Sequence, residues 1–466
     1  MITRYSVVGL GKLGASMAAA IASRGFNVIG VDVNRRAVEL VNAGHAPVQE
    51  TNLEETIAAN RERLYATLSH REAILNSDVT FVIVPTPSDE RGVFSLQYAA
   101  WAFREIGRAL AEKDGYHLVV LTSTVLPGST RYGLLPILER ESGKACGRDF
   151  GLCYSPEFIA LGSVIHDFLN PDFVLIGEFD EHCGSQLEEC YAAIMENNPP
   201  CVRMSIENAE LTKIAVNTFV TTKITFANML ADLCERIPGG DVDIVTKALG
   251  LDRRIGPAYL KGALGYGGPC FPRDNVALGF IARALGSRAE LAETTDQVNR
   301  ALPAKIMERL RPFIRKGATV AVLGLAYKPY SHVIEESQGI ALAWALFKAG
   351  ARVVAYDPLA GEMARNEFRG QILVLDSIAD CLAQAEVVLI TTPDPVFRTL
   401  KATDFGNQRS VVTVVDFWRI LDKELAGKPN IRYIPIGRST DDAANADRLA
   451  KLWGNVITYL NRLQIM

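Results

Sequence analysis

Two short stretches of this 466-residue chain combine residue types that do chemistry. The first is Gly9-Leu10-Gly11-Lys12-Leu13-Gly14, which follows an apolar run and opens a helix-like segment. Glycines at this spacing let the chain turn tightly and bring a pyrophosphate against backbone N–H groups at a helix N-terminus. Asp32 ends the next apolar run, 18 residues after Gly14. A carboxylate there accepts hydrogen bonds from a ribose and repels a 2′-phosphate, so NAD is expected over NADP. Arg35 and Arg36 lie close by and pull weakly the other way. The second stretch is Gly265-Tyr266-Gly267-Gly268-Pro269-Cys270-Phe271-Pro272-Arg273-Asp274. Its glycines and prolines make a constrained loop that a substrate can approach closely. Arg273 favours the thiolate form of Cys270, the nucleophilic form; Asp274 opposes this but can orient water. A lone cysteine is more often a small buried hydrophobe, and composition alone favours that reading.

Lys213 and Asn217 stand four apart on a helix-like segment and so share a face. An ammonium and an amide pointing the same way can stabilise a developing oxyanion; on spacing alone, a solvated polar face fits equally well. The eight cysteines form no CxxC pair, and the six histidines show no ligand spacing with them. No metal site is therefore expected.

These groups need elements to hold them. Arg4–Leu10, Phe26–Asp32, Val79–Val84, Leu118–Thr122 and Phe173–Ile176 are apolar runs of strand length, and Lys12–Arg24 has helical composition. Continuous apolar strands alternating with helices predict a parallel sheet. Glu207–Ile237 runs without Gly or Pro. It predicts a helix of roughly 45 Å at 1.5 Å per residue, long enough to connect two domains and to enter a dimer interface. Its apolar positions, Leu211, Ile214, Ala215, Phe219, Ile224, Met229, Leu230 and Leu233, predict more than one greasy stripe. Strand-like runs return at Ala318–Leu323, Val353–Tyr356, Val387–Thr391 and Val411–Val415. The run ending "VIGVD" at Asp32 is echoed by "VVAYD" at Asp357, and "DVTFVIVPTP" by "EVVLITTPDP". The fold class expected is α/β, with two Rossmann-like doubly wound domains flanking a helical middle. The second domain lacks the glycine fingerprint: Gly324 precedes Leu325-Ala326-Tyr327-Lys328-Pro329. A basic residue at that strand end suits a nucleotide diphosphate, or the domain only buttresses the fold.

A net charge of −4 argues against a nucleic-acid partner or a basic membrane patch. No apolar run is long enough to span a bilayer. The first ten residues read as a strand, not a leader, so a cytoplasmic protein is expected.

Together these segments resemble the UDP-glucose/GDP-mannose dehydrogenase family. The resemblance runs in order through Gly9–Gly14, Pro85-Thr86-Pro87, Ser123-Thr124-Val125-Leu126-Pro127-Gly128, Pro156-Glu157-Phe158, Glu210-Leu211-Thr212-Lys213 to Asn217, Arg254-Ile255-Gly256, Gly265–Asp274 and Gly324–Pro329. It implies an NAD-binding domain over 1–200, a central helical dimerisation domain over 201–303 and a UDP-sugar-binding domain over 304–466. It also implies a four-electron oxidation of a sugar C6 hydroxyl to a carboxylate, without release of the aldehyde. Cys270 would form a thiohemiacetal and then a thioester that water hydrolyses. Lys213 and Asn217 would stabilise the oxyanions. Asp274 and Thr124 would handle water and protons, with Glu157 assisting. Phe158, Tyr259, Lys261, Gly265, Tyr327 and Lys328 would contact the sugar nucleotide, Arg419 its diphosphate, and Arg254 the substrate of a neighbouring subunit. Pro85, Thr86 and Thr124 would line the cofactor side.

Four positions depart from the family pattern: Leu161 and Glu335 replace a frequent Glu and Arg beside the nicotinamide, Pro269 a usual Ser, and Arg273 a usual Lys. UDP-glucose is the substrate expected first; UDP-N-acetylhexosamines of the mannosamine type and GDP-mannose are the alternatives. A two-electron β-hydroxyacid dehydrogenase is the rival class. It shares a Rossmann domain and a helical Lys/Asn pair but needs no cysteine. A non-catalytic nucleotide-sugar sensor is the third, and the intact Cys270, Lys213, Asn217 and Asp274 set speaks against it.

Overall fold

The computed structural model describes residues 2–159, 162–405 and 411–463, the last nine of these as backbone only. It divides into two compact units: Met1–Val216 with Val276–Arg288, and Asn217–Asn275 with Ala289–Met466.

The first unit is built on one sheet of eight strands: β1 Arg4–Val8, β2 Asn27–Val31, β3 Leu64–Thr67, β4 Val79–Val82, β5 Leu118–Leu121, β6 Gly151–Tyr154, β7 Val174–Glu178 and β8 Cys201–Ser205. Their order is β3-β2-β1-β4-β5-β6-β7-β8. The chain reverses its direction of travel across the sheet between β1 and β4, the switch point at which doubly wound folds bind ligands. Both faces are covered. Val7 and Phe81 belong to the core on one face, Val8 and Val82 to the core on the other, which is why these strands are apolar throughout rather than alternating. One expectation needs correcting: β7 runs antiparallel to β6, and β8 runs parallel to β7. The β6–β7 connection holds a helix of only six residues, Val164–Leu169. At about 9 Å it is too short to carry the chain back along the sheet for a parallel crossover.

The second unit holds a six-stranded sheet: β9 Thr319–Leu323, β10 Arg352–Tyr356, β11 Leu373–Val374, β12 Val387–Ile390, β13 Val412–Asp416 and β14 Ile431–Pro435. The order is β11-β10-β9-β12-β13-β14, with every pair parallel. The sequence echo is therefore structural. Asp32 follows β2 and Asp357 follows β10, strands at the same place in the two orders.

Six helices carry the residues of interest: α1 Lys12–Ser23, α2 Ile206–Cys234, α3 Val242–Gly250, α4 Phe271–Ala284, α5 Glu290–Leu310 and α6 Gln338–Lys348. The long helix spans 29 residues, close to the length expected. Of its apolar positions Ile214 is buried, and Leu211, Phe219, Met229 and Leu233 are exposed. The side that packs inward carries mainly small and polar residues, among them Thr218, Thr221, Ala227, Ala231 and Cys234, whereas Phe219, Phe226, Met229 and Leu233 are exposed.

Candidate active site

In the first unit the turn after β1 is shaped by contacts that admit only glycine. Gly9 has φ 98°, and a Cβ there would lie 2.4 Å from the Ile83 carbonyl oxygen. A Cβ on Gly14 would collide with the Gly9 carbonyl. Gly11 differs, because a Cβ there would meet nothing within 4 Å. Its open side and the α1 N-terminus, which no side chain caps, suit a pyrophosphate on backbone N–H groups. Lys12 and Leu13 lie in the first turn of the same helix. Asp32 braces the turn: Oδ2 accepts from Leu10 N (2.7 Å) and Oδ1 from Asn34 N (2.8 Å). The loops after β4 and β5 are tied together where Thr86 Oγ1 donates to the Thr124 carbonyl (2.8 Å) and Ser123 Oγ to the Val84 carbonyl (2.7 Å). An open glycine turn at an uncapped helix N-terminus, with a carboxylate after the next strand, is the chemistry that suits NAD.

Lys213, on the first half of α2, is buried. Its Nζ donates to the Glu157 carbonyl (2.6 Å) and sits 4.5 Å from the centre of the Phe158 ring. Burial pushes the Glu157 carboxyl up to about 7, against the opposing pull of Lys213. One turn back along α2, Glu210 accepts from Gly128 N (2.5 Å) and Thr130 N (2.8 Å), and so fixes the loop that follows Thr124. The sequence named Glu210 only as part of a motif; the pattern gave it no role.

In the second unit Cys270 is exposed and stands immediately before α4, where the Asp274 N–H donates to its carbonyl (2.9 Å). A helix N-terminus favours negative charge on a sulfur placed there. Asp274 is buried. Asn217 Nδ2 donates to its Oδ2 (2.5 Å), and Arg273 Nε lies 3.9 Å from its Oδ1. Tyr327 packs on the loop: a Cβ on Gly268, whose φ is 82°, would stand 2.6 Å from its ring. Lys328 Nζ lies 5.8 Å from the centre of that ring. Tyr259 is in the left-handed region (φ 62°) and meets Phe271 edge-on at 6.4 Å. Gly265 lies hard against Asn299.

Three cations expected to face substrate are engaged within the chain. The Arg419 side chain is 1% exposed. It grips Asp243 through Nε (2.7 Å) and Nη2 (3.0 Å), and its Nη1 donates to the Phe417 and Ile436 carbonyls. These bonds tie the Arg419 guanidinium to Asp243 and to the loops after β13 and β14. Lys261 pairs with the same Asp243 at 3.0 Å but keeps an exposed side chain. The two cations hold the Asp243 carboxyl down at about 2 against the effect of burial. Arg254 is exposed and folds onto Asp252 (2.6 and 3.0 Å). Glu335 is exposed beside a cavity of about 460 Å³ lined also by Asn299, Arg300 and Gln338. Leu161 lies outside the described residues. Among the described residues no group of three or more His, Cys, Asp or Glu is placed to hold a metal, and no helix is long and apolar enough to cross a membrane.

Comparison with known proteins agrees with this arrangement. Three family models match in order: the NAD binding domain of the UDP-glucose/GDP-mannose dehydrogenase family over residues 3–195, its central domain over 207–301 and its UDP binding domain over 321–423. UDP-glucose 6-dehydrogenase AglM of Haloferax volcanii is 39% identical over 422 residues, 90% of this chain and 97% of that protein. GDP-mannose 6-dehydrogenase of Azotobacter vinelandii is 32% identical, covering 89% and 97%. The structure of a UDP-glucose dehydrogenase from the archaeon Pyrobaculum islandicum superposes with a TM-score of 0.84 at 34% identity, covering 94% and 98%. An NAD-dependent oxidoreductase is the class that this fold and its glycine turn define. More narrowly, the chain belongs to the UDP-glucose/GDP-mannose dehydrogenase family.

Proposed function

We propose that the protein is a nucleotide-sugar 6-dehydrogenase that oxidises UDP-glucose to UDP-glucuronate, with Cys270 as covalent nucleophile. UDP-glucose is preferred because relatives named for it, at 39% and 35% identity, lead the comparison. GDP-mannose is the second reading, favoured by the 32% identical relative named for it. The placement of Cys270 carries the mechanism: an exposed thiol at a helix N-terminus, on a loop of glycines, one turn before Asp274.

NAD supplies the hydride acceptor, and two molecules in succession account for four electrons. The chain does the rest. Lys213 and Asn217 hold the oxygen of the C6 alcohol and then of the aldehyde as charge develops on it. Cys270 sulfur adds to the aldehyde carbon and the oxygen takes a proton, giving a thiohemiacetal. Loss of a second hydride and a proton leaves a thioester. Asp274, held by Asn217, orients water, with Thr124 assisting. The water oxygen bonds to the carbonyl carbon and the C–S bond breaks; one water proton goes to the Cys270 sulfur, the other to solvent, and the carboxylate leaves. Glu157 accepts a proton near the sugar. The sulfur tether explains how an aldehyde survives exchange of the first NADH for a second NAD.

The three-part division at 1–200, 201–303 and 304–466 is kept as the functional organisation, the middle part serving a homodimer. Eight cysteines outside any disulfide suit a reducing cytoplasm. The deciding experiment measures NADH formed per nucleotide sugar for the native enzyme and for Cys270→Ala. The native ratio is two, with no aldehyde released. Cys270→Ala binds the sugar nucleotide but makes no acid, and Cys270→Ser traps a slowly hydrolysed ester visible by mass spectrometry. Acid production by Cys270→Ala at near-native rate sinks the mechanism. One NADH per turnover with a stable carbonyl product favours the two-electron class.

A further inference from the structure

The cysteine loop cannot hold itself. From Ala263 to Phe271 it contains three glycines, and its backbone groups need partners from elsewhere. Asparagine side chains from two other helices supply them, and a third, Asn275, steadies the first turn of α4 behind Cys270. Asn228, on α2, accepts from Ala263 N through Oδ1 (2.8 Å) and donates to the Leu264 carbonyl through Nδ2 (3.0 Å). Asn299, on α5, accepts from Tyr266 N (2.9 Å) and donates to the Tyr266 carbonyl (3.0 Å). Asn275, on α4, donates to the Phe271 carbonyl (2.9 Å) and to Thr221 Oγ1 (3.0 Å), with the Tyr266 hydroxyl at 3.4 Å. Asn299 and Asn275 are buried. The fit to Asn299 excludes any side chain at Gly265, where a Cβ would stand 2.2 Å from Oδ1. Past Tyr266 the loop is fixed once more, where Gly268 N donates to the Glu335 carbonyl (2.9 Å).

Asn299 pairs with both backbone groups of Tyr266, the pattern of one rung of a β-ladder, and Asn228 ties the Ala263 N–H to the Leu264 carbonyl. They substitute for a strand that a glycine loop cannot form. The loop is thus fastened on both sides of its apex, and the apex is Pro269-Cys270.

We infer that Asn228, Asn275 and Asn299 are positioning residues that hold Cys270 at its point of attack. The inference rests on the reading of Cys270 as nucleophile. A reacting group has to be held to within about 0.5 Å of its productive place, and a displacement of about 1 Å costs on the order of 10²-fold in rate.

Asn299→Asp tests this with least disturbance. It is isosteric and keeps the acceptor for Tyr266 N–H, but it sets an oxygen against the Tyr266 carbonyl. The expected result is a kcat lower by roughly 10²-fold with KM for NAD and for the sugar nucleotide within about twofold of native. The NADH yield per sugar falls below two, because aldehyde leaves before sulfur captures it. Native kcat and yield overturn the inference. So does a uniform rise in both KM values alongside a lower melting temperature, which marks general loosening. Asn228→Ala, on a separate helix, is the second variant and decides the matter where Asn299→Asp does not fold. A substrate-free arm follows alkylation of Cys270 by iodoacetamide, with mass-spectrometric readout; its rate changes by roughly threefold or more in the variants. If the native enzyme oxidises no nucleotide sugar, the functional reading fails while this arm still judges the positioning. An unchanged alkylation rate then overturns it.

Discussion

The Asp32 carboxylate braces the glycine turn through Leu10 N and Asn34 N, and the ribose role proposed for it would load the same group with a second duty. Asp32→Ala would remove both. Asp32→Asn keeps an acceptor for the turn while removing the charge that repels a 2′-phosphate. It should raise catalytic efficiency with NADP relative to NAD by roughly tenfold, the effect of about 1.4 kcal/mol. Equal efficiencies with the two cofactors in the native enzyme would end this role. Glu157 makes a second prediction. Its carboxyl, lifted to about 7, is mostly protonated below that pH and ionised above it. As a base it makes kcat climb as pH rises through about 7, and Glu157→Gln should erase that limb while leaving others in place. A native profile flat across this range would contradict the assignment. The glycine turn, Asp32 and the cysteine loop were legible because each is a local pattern with a local cause. The Arg419–Asp243 pair was not, since its partners lie 176 residues apart. Asn228 and Asn299 look in sequence like ordinary polar helix positions; only the fold shows that they face a loop rather than water.

At the level of elements, the strands were readable because burial on both faces leaves continuous apolar runs. The reversal at β7 was not, because strand direction depends on the length of the connection rather than on the strand. Where β4 and β5 begin, the first unit also holds a polar cluster that no pattern announced. His117 is fully buried, with Nε2 2.8 Å from Thr80 Oγ1 and Nδ1 3.2 Å from the Ser77 carbonyl. Lys113 donates to the Ile74 and Ser77 carbonyls beside it. Burial, reinforced by Lys113, lowers His117 to about 3, whereas an unfolded histidine titrates near ~6.5. Between those values the unfolded chain binds the extra proton. The stability contributed by neutral His117 is therefore complete above about pH 6.5 and is lost as pH falls toward 3. Replacing His117 with Asn should lower the melting temperature at pH 8 and flatten its decline between about pH 6.5 and 4. The same slope in both proteins would show that other groups set the acid limit.

For the whole molecule, the helical middle poses the remaining question. A helix that turns small and polar residues inward and large apolar ones outward is unusual for a surface helix. On α2, Phe219, Phe226 and Leu233 recur at seven-residue intervals, which places them on one stripe. Phe219 is 65% exposed, and α3 and the segment after it add Ile244 at 67% and Leu251 at 79%. Isolated exposed hydrophobics need no explanation, but a run of them along one helix marks a contact surface. A second copy of the chain is the occupant we propose, because a self-complementary stripe on one long helix suits a two-fold axis. Arg254, exposed beside this surface in sequence and paired with Asp252, could exchange that partner for a neighbour's substrate. Sedimentation velocity decides the matter. The native protein should run as a dimer or larger at assay concentration. Leu233→Asp, which puts a charge on the stripe far from Cys270 in sequence, should shift it to monomer and lose activity together with the dimer. A native protein that sediments as a fully active monomer would remove α2 from any interface and leave Arg254 without a substrate to reach.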